Sequence, residues 1–155
     1  MIPKKILSYL EKNKVKYEIV KHKIVYTAQD LSATLRTKLN EIAKTLIIKT
    51  DKGYFLLVLP ASRQIDFSKL KKILKVKKIG LITENLMKKI VKIKPGTVPP
   101  FGSLYKLDVY LDKSLKKIKK VIVRAGSYAE SLKIKLSDLI KMEKPEEGQF
   151  TSEKK

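Results

Sequence analysis

The chain has 155 residues, 43% of them hydrophobic, which is enough for one domain with an apolar core. It has no cysteine, which excludes disulfides, thiolate nucleophiles and cysteine-ligated zinc, and its apolar runs fall far short of the roughly 20 residues of a membrane span. With 36 Lys plus Arg against 15 Asp plus Glu, the formal net charge of +21 indicates a polyanionic partner, with nucleic acid first.

The excess of lysine has a second explanation. Such a composition is also typical of a thermophile or of an AT-rich genome. Charge alone does not separate DNA, RNA, ribosome or anionic membrane, because phosphate contacts carry little sequence information. Since the N-terminus lacks a signal-peptide apolar segment, we expect a soluble, cytoplasmic protein with no membrane partner.

The first half of the chain alternates between helical and strand patterns. In chain order it predicts a helix over 3–13, a strand over 15–20, a short helix over 27–35, a second short helix before 44, and strands over 45–50 and 54–59. The hydroxyl of Thr27 can cap the helix that follows it. Gly53 can supply the positive φ of a β-hairpin loop between the last two strands.

The second half continues this alternation. It predicts helices over 66–74 and 83–91, a strand over 103–110, a charged turn over 113–118, strands over 121–125 and 132–136, a helix over 137–142, and a polar, flexible tail over 143–155. Asp66, Thr83 and Ser137 are the expected N-caps. The pattern favours an α/β fold of the α+β type, with a mixed, largely antiparallel sheet surrounded by helices.

The usual catalytic constellations are absent from the sequence. His22 is the only histidine, so a site built from several histidines is excluded, and no carboxylate cage has metal-ligand spacing. There is no nucleophile elbow, Walker loop or dinucleotide fingerprint. We therefore expect no metal and no cofactor.

The stretch Pro95-Gly96-Thr97-Val98-Pro99-Pro100-Phe101-Gly102 holds two of the six glycines and three of the six prolines. It can be a rigid connector between a helix and a strand. Alternatively, Gly96 lets backbone N–H groups approach a ligand closely while the prolines keep that backbone rigid. The residues alone leave both readings open.

Several short motifs in a fixed order resemble the YbaK-like family of aminoacyl-tRNA deacylases, relatives of the editing domain inserted in prolyl-tRNA synthetase. The motifs are His22, Tyr26-Thr27-Ala28, Ala43-Lys44-Thr45-Leu46, Leu59-Pro60-Ala61, Asp66-Phe67 with Leu70, the loop 95–102, Ala125-Gly126 and Ser137-Asp138-Leu139. The resemblance covers about residues 3–142. It implies a single editing domain over 1–142, with the fold of that family, which includes a partly closed barrel.

The resemblance also implies a function and a site. The expected activity is hydrolysis in trans of the ester between a wrong amino acid and its tRNA, typically alanine or cysteine on proline tRNA, assisted by the ribose hydroxyl. Lys44 would hold the 3′-terminal nucleotide, and the Gly96 N–H would face the substrate carbonyl. The remaining substrate-binding candidates are His22, Tyr26, Thr27, Pro60, Ala61, Thr97, Val98, Pro99, Pro100, Phe101, Gly102, Gly126, Ser127 and Glu130.

One position departs from the family pattern. Some relatives carry histidine four residues after the glycine that matches Gly126, whereas this chain has Glu130. Ser127 and Glu130 are therefore candidates for selecting the amino acid, or else belong to a surface turn.

The expected partners are the aminoacylated 3′ end of tRNA and a prolyl-tRNA synthetase, and the expected state is a monomer or a weak dimer. Two alternatives remain open. One is a non-catalytic RNA- or ribosome-binding module that keeps the fold, and the other is a synthetase-associated regulator whose pocket holds a free amino acid or nucleotide.

Overall fold

The computed structural model of the chain describes residues 1–94 and 96–154. Pro95, the first residue of the proline- and glycine-rich loop, and Lys155, the last residue of the expected tail, lie outside the described residues. The α-helices are α1 (Lys4–Lys12), α2 (Ala28–Leu35), α3 (Phe67–Leu74), α4 (Glu84–Val91) and α5 (Leu136–Glu143). Short 3₁₀ turns occupy Leu39–Glu41, Gly102–Tyr105 and Lys113–Lys117.

The strands lie in separate sheets. They are β1 (Tyr17–Lys21), β2 (Ala43–Thr50), β3 (Gly53–Pro60), β4 (Arg63–Ile65), β5 (Ile79–Leu81), β6 (Asp108–Asp112), β7 (Lys120–Arg124), β8 (Glu130–Lys135), β9 (Glu146–Gly148) and β10 (Thr151–Glu153). The largest sheet has the order β5-β2-β3-β6-β9, and a second has the order β1-β8-β7. A bridge between Ile42 and Ile122 joins them.

The predicted mixed, largely antiparallel α/β fold is confirmed. The pairs β2-β3, β2-β5, β1-β8, β7-β8 and β4-β10 are antiparallel, whereas β3-β6 and β6-β9 are parallel. Within residues 1–94 and 96–154 the sheets do not close into a complete barrel.

The β2-β3 hairpin predicted from the sequence is present. Its loop ends at Gly53, whose φ of +109° is open to glycine at little cost. Along β3, Leu56 and Val58 join the main core, while Leu57 and Leu59 join a second core under α3. Both faces of β3 are buried, which explains its unbroken apolar run.

A third, smaller apolar cluster lies beneath α2. It consists of Val25, Leu31, Ile42, Ala61 and Ile122, all largely shielded from solvent. The Ala61 N–H donates to the carbonyl of Ile42 at 2.9 Å, which ties the end of β3 to the start of β2. The candidate site lies directly beside this cluster.

Three of the four expected N-caps are confirmed. The side chains of Thr27, Asp66 and Thr83 each accept the backbone N–H three residues ahead, at 3.0–3.1 Å. The expected cap at Ser137 is wrong, because α5 starts one residue earlier and Lys135 is its N-cap.

The strand predicted over 103–110 begins later than expected. Residues Gly102–Tyr105 form a 3₁₀ turn that ends at Lys106 with a φ of +57°, and the Leu107 N–H donates to the carbonyl of Gly102 at 3.0 Å. β6 therefore starts only at Asp108.

The expectation of a flexible tail after residue 142 is wrong for the part of it that the structure describes. β9 pairs with β6, and β10 pairs with β4. Phe150 is fully buried, and its N–H donates to the Asp112 carboxylate at 2.9 Å. The Thr151 hydroxyl donates to the same carboxylate at 2.9 Å. A single buried aromatic and a buried carboxylate hold a segment that has no apolar periodicity.

Candidate active site

A cavity of about 270 Å³ opens between α2, the first residues of β2 and the loop at Gly96. Its apolar wall consists of Ala28, Leu31, Ile42, Ala43, Leu46, Ala61 and Val98. Its polar lining consists of Tyr26, Thr27, Gln29, Lys44, Thr45, Arg124 and Lys154. No carboxylate lines it in the described part of the chain, so its electrostatic potential favours an anion.

Lys44 is placed at the cavity by the start of β2, where its backbone pairs with Leu59 of β3. The residue as a whole is exposed, but the cavity walls shield the ammonium from part of the solvent. This desolvation, followed by the charge of Lys154, lowers the pKa of Lys44. An anionic group bound in the cavity would offset both effects.

Gly96 lies exposed at the cavity with a φ of +79°. A Cβ added there would lie 3.4 Å from the carbonyl oxygen of Tyr26, an ordinary van der Waals distance. Glycine is therefore favoured at this position because of the backbone conformation, and not because space is lacking.

The fully buried Thr97 fixes the turn that follows Gly96. The Thr97 hydroxyl donates to the carbonyl of Lys94 at 2.6 Å, and the Thr97 carbonyl accepts the Gly126 N–H at 2.8 Å. Pro99 and Pro100 are buried behind it. These contacts fix the backbone that presents Gly96 and Val98 to the cavity.

Tyr26 stands at the mouth of the cavity with 64% of its surface exposed. Its ring meets the Tyr128 ring edge to face, with centroids 4.8 Å apart, and the Lys94 ammonium lies 5.4 Å from the centroid of Tyr128. Thr27 follows directly, and its hydroxyl is used as the cap of α2.

The structure thus brings together Tyr26, Thr27, Lys44, Ala61, Gly96 and Val98 of the predicted site residues. The other predicted site residues do not line this cavity; they are His22, Pro60, Thr97, Pro99, Pro100, Phe101, Gly102, Gly126, Ser127 and Glu130.

Four of these residues make contacts within the fold. Both ring nitrogens of His22 have partners, Nδ1 lying 2.8 Å from the carbonyl of Lys23 and Nε2 2.9 Å from the hydroxyl of Ser131. Pro60 ends β3 opposite Ala43, and Phe101 is fully buried in the main core. A Cβ on Gly102 would come within 2.5 Å of the Leu107 carbonyl oxygen and of the Val109 side chain.

The segment 126–130 packs against the N-terminus of the chain. A Cβ on Gly126 would lie 3.0 Å from the Pro3 ring. The Ser127 hydroxyl accepts the N–H groups of Ala129 and Glu130, each at 3.1 Å. The Glu130 carboxylate accepts the Ile2 N–H at 3.0 Å and pairs with the terminal ammonium at 3.6 Å. Glu130 thus binds the first two residues of the chain, ahead of α1, and does not line the cavity.

Comparison with known proteins decides the family. The aminoacyl-tRNA editing domain family matches residues 22–142. The chain belongs to this family. The predicted class of enzyme, an aminoacyl-tRNA deacylase, is confirmed by this membership.

Two relatives illustrate how the editing domain occurs. The chain is 25% identical over 151 residues to the prolyl-tRNA editing protein ProX of Acetoanaerobium sticklandii, covering 94% of this chain and 92% of ProX. It is 30% identical over 115 residues to a proline–tRNA ligase of Caldicellulosiruptor bescii, covering 74% of this chain but 20% of the ligase.

Solved structures share the fold of this editing domain. A hypothetical protein, APE2540, superposes with a TM-score of 0.88 at 19% identity, covering 96% of this chain and 99% of the other. A candidate trans-editing enzyme for prolyl tRNA synthetase superposes with a TM-score of 0.85 at 18% identity, covering 96% of each chain.

Arg124 is the principal site residue that sequence reasoning missed. It ends β7 and is 8% exposed. Two features of the sequence could have indicated it. It is one of three arginines in a lysine-rich chain, and it directly follows the apolar run Val121–Val123. Thr45, Gln29 and Lys154 were missed as well. Lys154 escaped notice because its segment reads as a polar tail.

Two kinds of feature are absent from residues 1–94 and 96–154. No helix there has the length and apolar content needed to cross a membrane. No cluster of three or more potential metal-ligating side chains is found there.

Proposed function

We propose that this editing-domain protein hydrolyses, in trans, the ester of mischarged aminoacyl-tRNA, with alanine or cysteine on proline tRNA as the substrate. The observation that carries the proposal is the meeting of Lys44 and Gly96 in one cavity that lacks a carboxylate lining in the described chain. The near end-to-end match to a prolyl-tRNA editing protein supports proline tRNA as the carrier.

The cavity suits the end of a charged tRNA. Lys44 is an exposed cation of the cavity and holds the phosphate of the 3′-terminal nucleotide. Gly96 directs its backbone N–H at the ester carbonyl, and the ribose hydroxyl orients the attacking water. Because an aminoacyl ester is already activated, positioning and charge stabilisation are enough, and no protein nucleophile is required.

The apolar wall suits a small side chain. Ala28, Ala43 and Ala61 contribute little bulk, and Val98 closes the wall beside Gly96. A synthetase pocket separates side chains that differ by one methylene by only about 1–3 kcal/mol, so a second pocket that removes the wrong product improves fidelity. A prolyl-tRNA synthetase that releases such products is the natural partner.

The proposal is tested by deacylation of mischarged tRNA. Purified protein is incubated with proline tRNA that carries alanine or cysteine, and with a panel of other aminoacyl-tRNAs. Lys44→Ala should lower kcat/KM about 10- to 100-fold, because a hydrogen bond to a charged group is worth about 1.5–3 kcal/mol. Lys49→Ala is the matched control, since Lys49 is exposed on the same strand β2 and does not line the cavity.

Two results contradict the proposal. If no aminoacyl-tRNA is hydrolysed faster by the wild type than by Lys44→Ala, the protein is not a deacylase that uses this cavity. Salt-sensitive tRNA binding that survives Lys44→Ala without hydrolysis identifies a non-catalytic RNA-binding module instead.

A further inference from the structure

Arg124 is buried, and it has no ionic partner in the described part of the chain. It is 8% exposed, and its Nη2 donates to the carbonyl of Val25 at 2.8 Å. Its Nε and Nη1 are buried and have no hydrogen-bond partner within residues 1–94 and 96–154. Neither of the ion pairs found in that part of the chain involves it. Burial lowers the pKa of this guanidinium, since desolvation penalises the charged form.

A buried guanidinium with unused donors is costly to the fold and calls for a functional explanation. Buried polar groups without partners cost free energy, and a buried charge costs more. Packing alone would favour an apolar residue at the end of β7, in line with Ile122, which lies on the same face of the strand. Arg124 lines the cavity, so an acceptor on a bound ligand that reaches the buried Nε or Nη1 would satisfy it.

The position of Arg124 relative to Gly96 indicates which acceptor this is. Arg124 bonds the carbonyl of Val25, and Gly96 lies against the carbonyl of the next residue, Tyr26. The guanidinium and the Gly96 backbone thus approach the same peptide segment and line the same cavity. Lys44, by contrast, is exposed, and the proposed function places it against the nucleotide.

We propose that Arg124 is a further catalytic residue of the deacylation, whose guanidinium binds the ester carbonyl oxygen together with the Gly96 N–H and stabilises the oxyanion. The inference rests on the proposed function. Water adds to the carbonyl carbon, and the π electron pair moves onto the oxygen held by Arg124. When that pair returns, the bond to the ribose oxygen breaks, the proton released by water passes to the ribose oxygen, and the free amino acid leaves.

The electrostatics of the cavity favour this step over simple binding. The ester oxygen is neutral in the substrate and negative in the tetrahedral intermediate. A fixed cation in a cavity that no carboxylate of the described residues lines therefore stabilises the transition state more than the ground state. Arg124 should therefore affect kcat and leave KM for tRNA nearly unchanged.

The test is steady-state and single-turnover deacylation by Arg124→Gln, with Arg36→Gln as control. Arg36 is exposed, lies outside the cavity and carries the same charge. We expect Arg124→Gln to lower kcat by about 10²–10³-fold, the loss typical of one oxyanion donor, with KM changed less than about threefold. Arg36→Gln should match the wild type.

Further measurements separate catalysis from packing and from selectivity. Arg124→Ala should regain activity when guanidinium ion is added at millimolar concentration. A purely structural role would not give this rescue. If Arg124→Gln fails to fold, Arg124→Ala and Arg124→Lys take its place. The losses should be equal for Ala-tRNA, Cys-tRNA and Ser-tRNA.

Four results overturn the inference. These are wild-type kcat in Arg124→Gln, a loss confined to KM, a loss that depends on the side chain of the amino acid, and no rescue by guanidinium. All four presuppose that the wild type is active and that Lys44→Ala is slower, so they are distinct from failure of the proposed function.

Discussion

Gly96 and Gly102 have different structural roles, although both belong to the same sequence motif. Gly96 is exposed at the cavity and is required for its φ of +79°. Gly102 is buried, and a Cβ there would collide with the Leu107 backbone and the Val109 side chain. The first serves the site, and the second serves packing between the 3₁₀ turn and β6.

Substitution of Gly102 should therefore affect stability and not chemistry. Gly102→Ala forces the tightly packed neighbours apart and should cost about 1–3 kcal/mol of unfolding free energy. The measurement is urea denaturation alongside deacylation at a temperature where the variant is folded. A variant with full stability and a lost deacylation rate would return Gly102 to the substrate-binding set.

At the scale of elements, sequence patterns predicted those segments whose local signals agree with their packing. The β2-β3 hairpin and the capped helices α2, α3 and α4 were predicted, since Gly53 and the three capping side chains act locally. The short strands β4, β5, β9 and β10 were not predicted. Each has three residues, and their pairing partners are distant in sequence.

The β9-β10 segment shows why local signals fail there. Its stability comes from Phe150 and from the Asp112 carboxylate, which accepts bonds from the Phe150 N–H and the Thr151 hydroxyl. Phe150→Ala should lower the unfolding free energy by about 3–5 kcal/mol, as expected for a fully buried aromatic. Thermal unfolding measures this loss, with Phe67→Ala as a control, because Phe67 is 46% exposed. Equal, small effects of both changes would show that the segment is frayed after all.

At the scale of the whole molecule, the charge of +21 and the ordered motifs indicated a nucleic-acid enzyme, and the family comparison bears out the class. The site was predicted only in part. Lys44, Gly96 and Tyr26 come from motif positions, but Arg124 and Lys154 reach the cavity through β7 and β10, whose arrangement depends on long-range pairing. Glu130, one of two candidates for selecting the amino acid, does not line the cavity, and its carboxylate binds the N-terminus.

The most direct test of the central claim measures how fast two variants, Gly96→Ala and Gly53→Ala, hydrolyse proline tRNA that carries alanine. Both glycines have positive φ, and an added Cβ at either meets no contact closer than 3.4 Å, so both changes should cost a similar 1–2 kcal/mol or so of stability. Only Gly96 lines the cavity. We predict that Gly96→Ala loses about 100-fold in hydrolysis, because a misplaced donor no longer meets the carbonyl, while Gly53→Ala keeps the wild-type rate. Equal hydrolysis rates in the two variants would contradict the assignment of this cavity as the deacylation site.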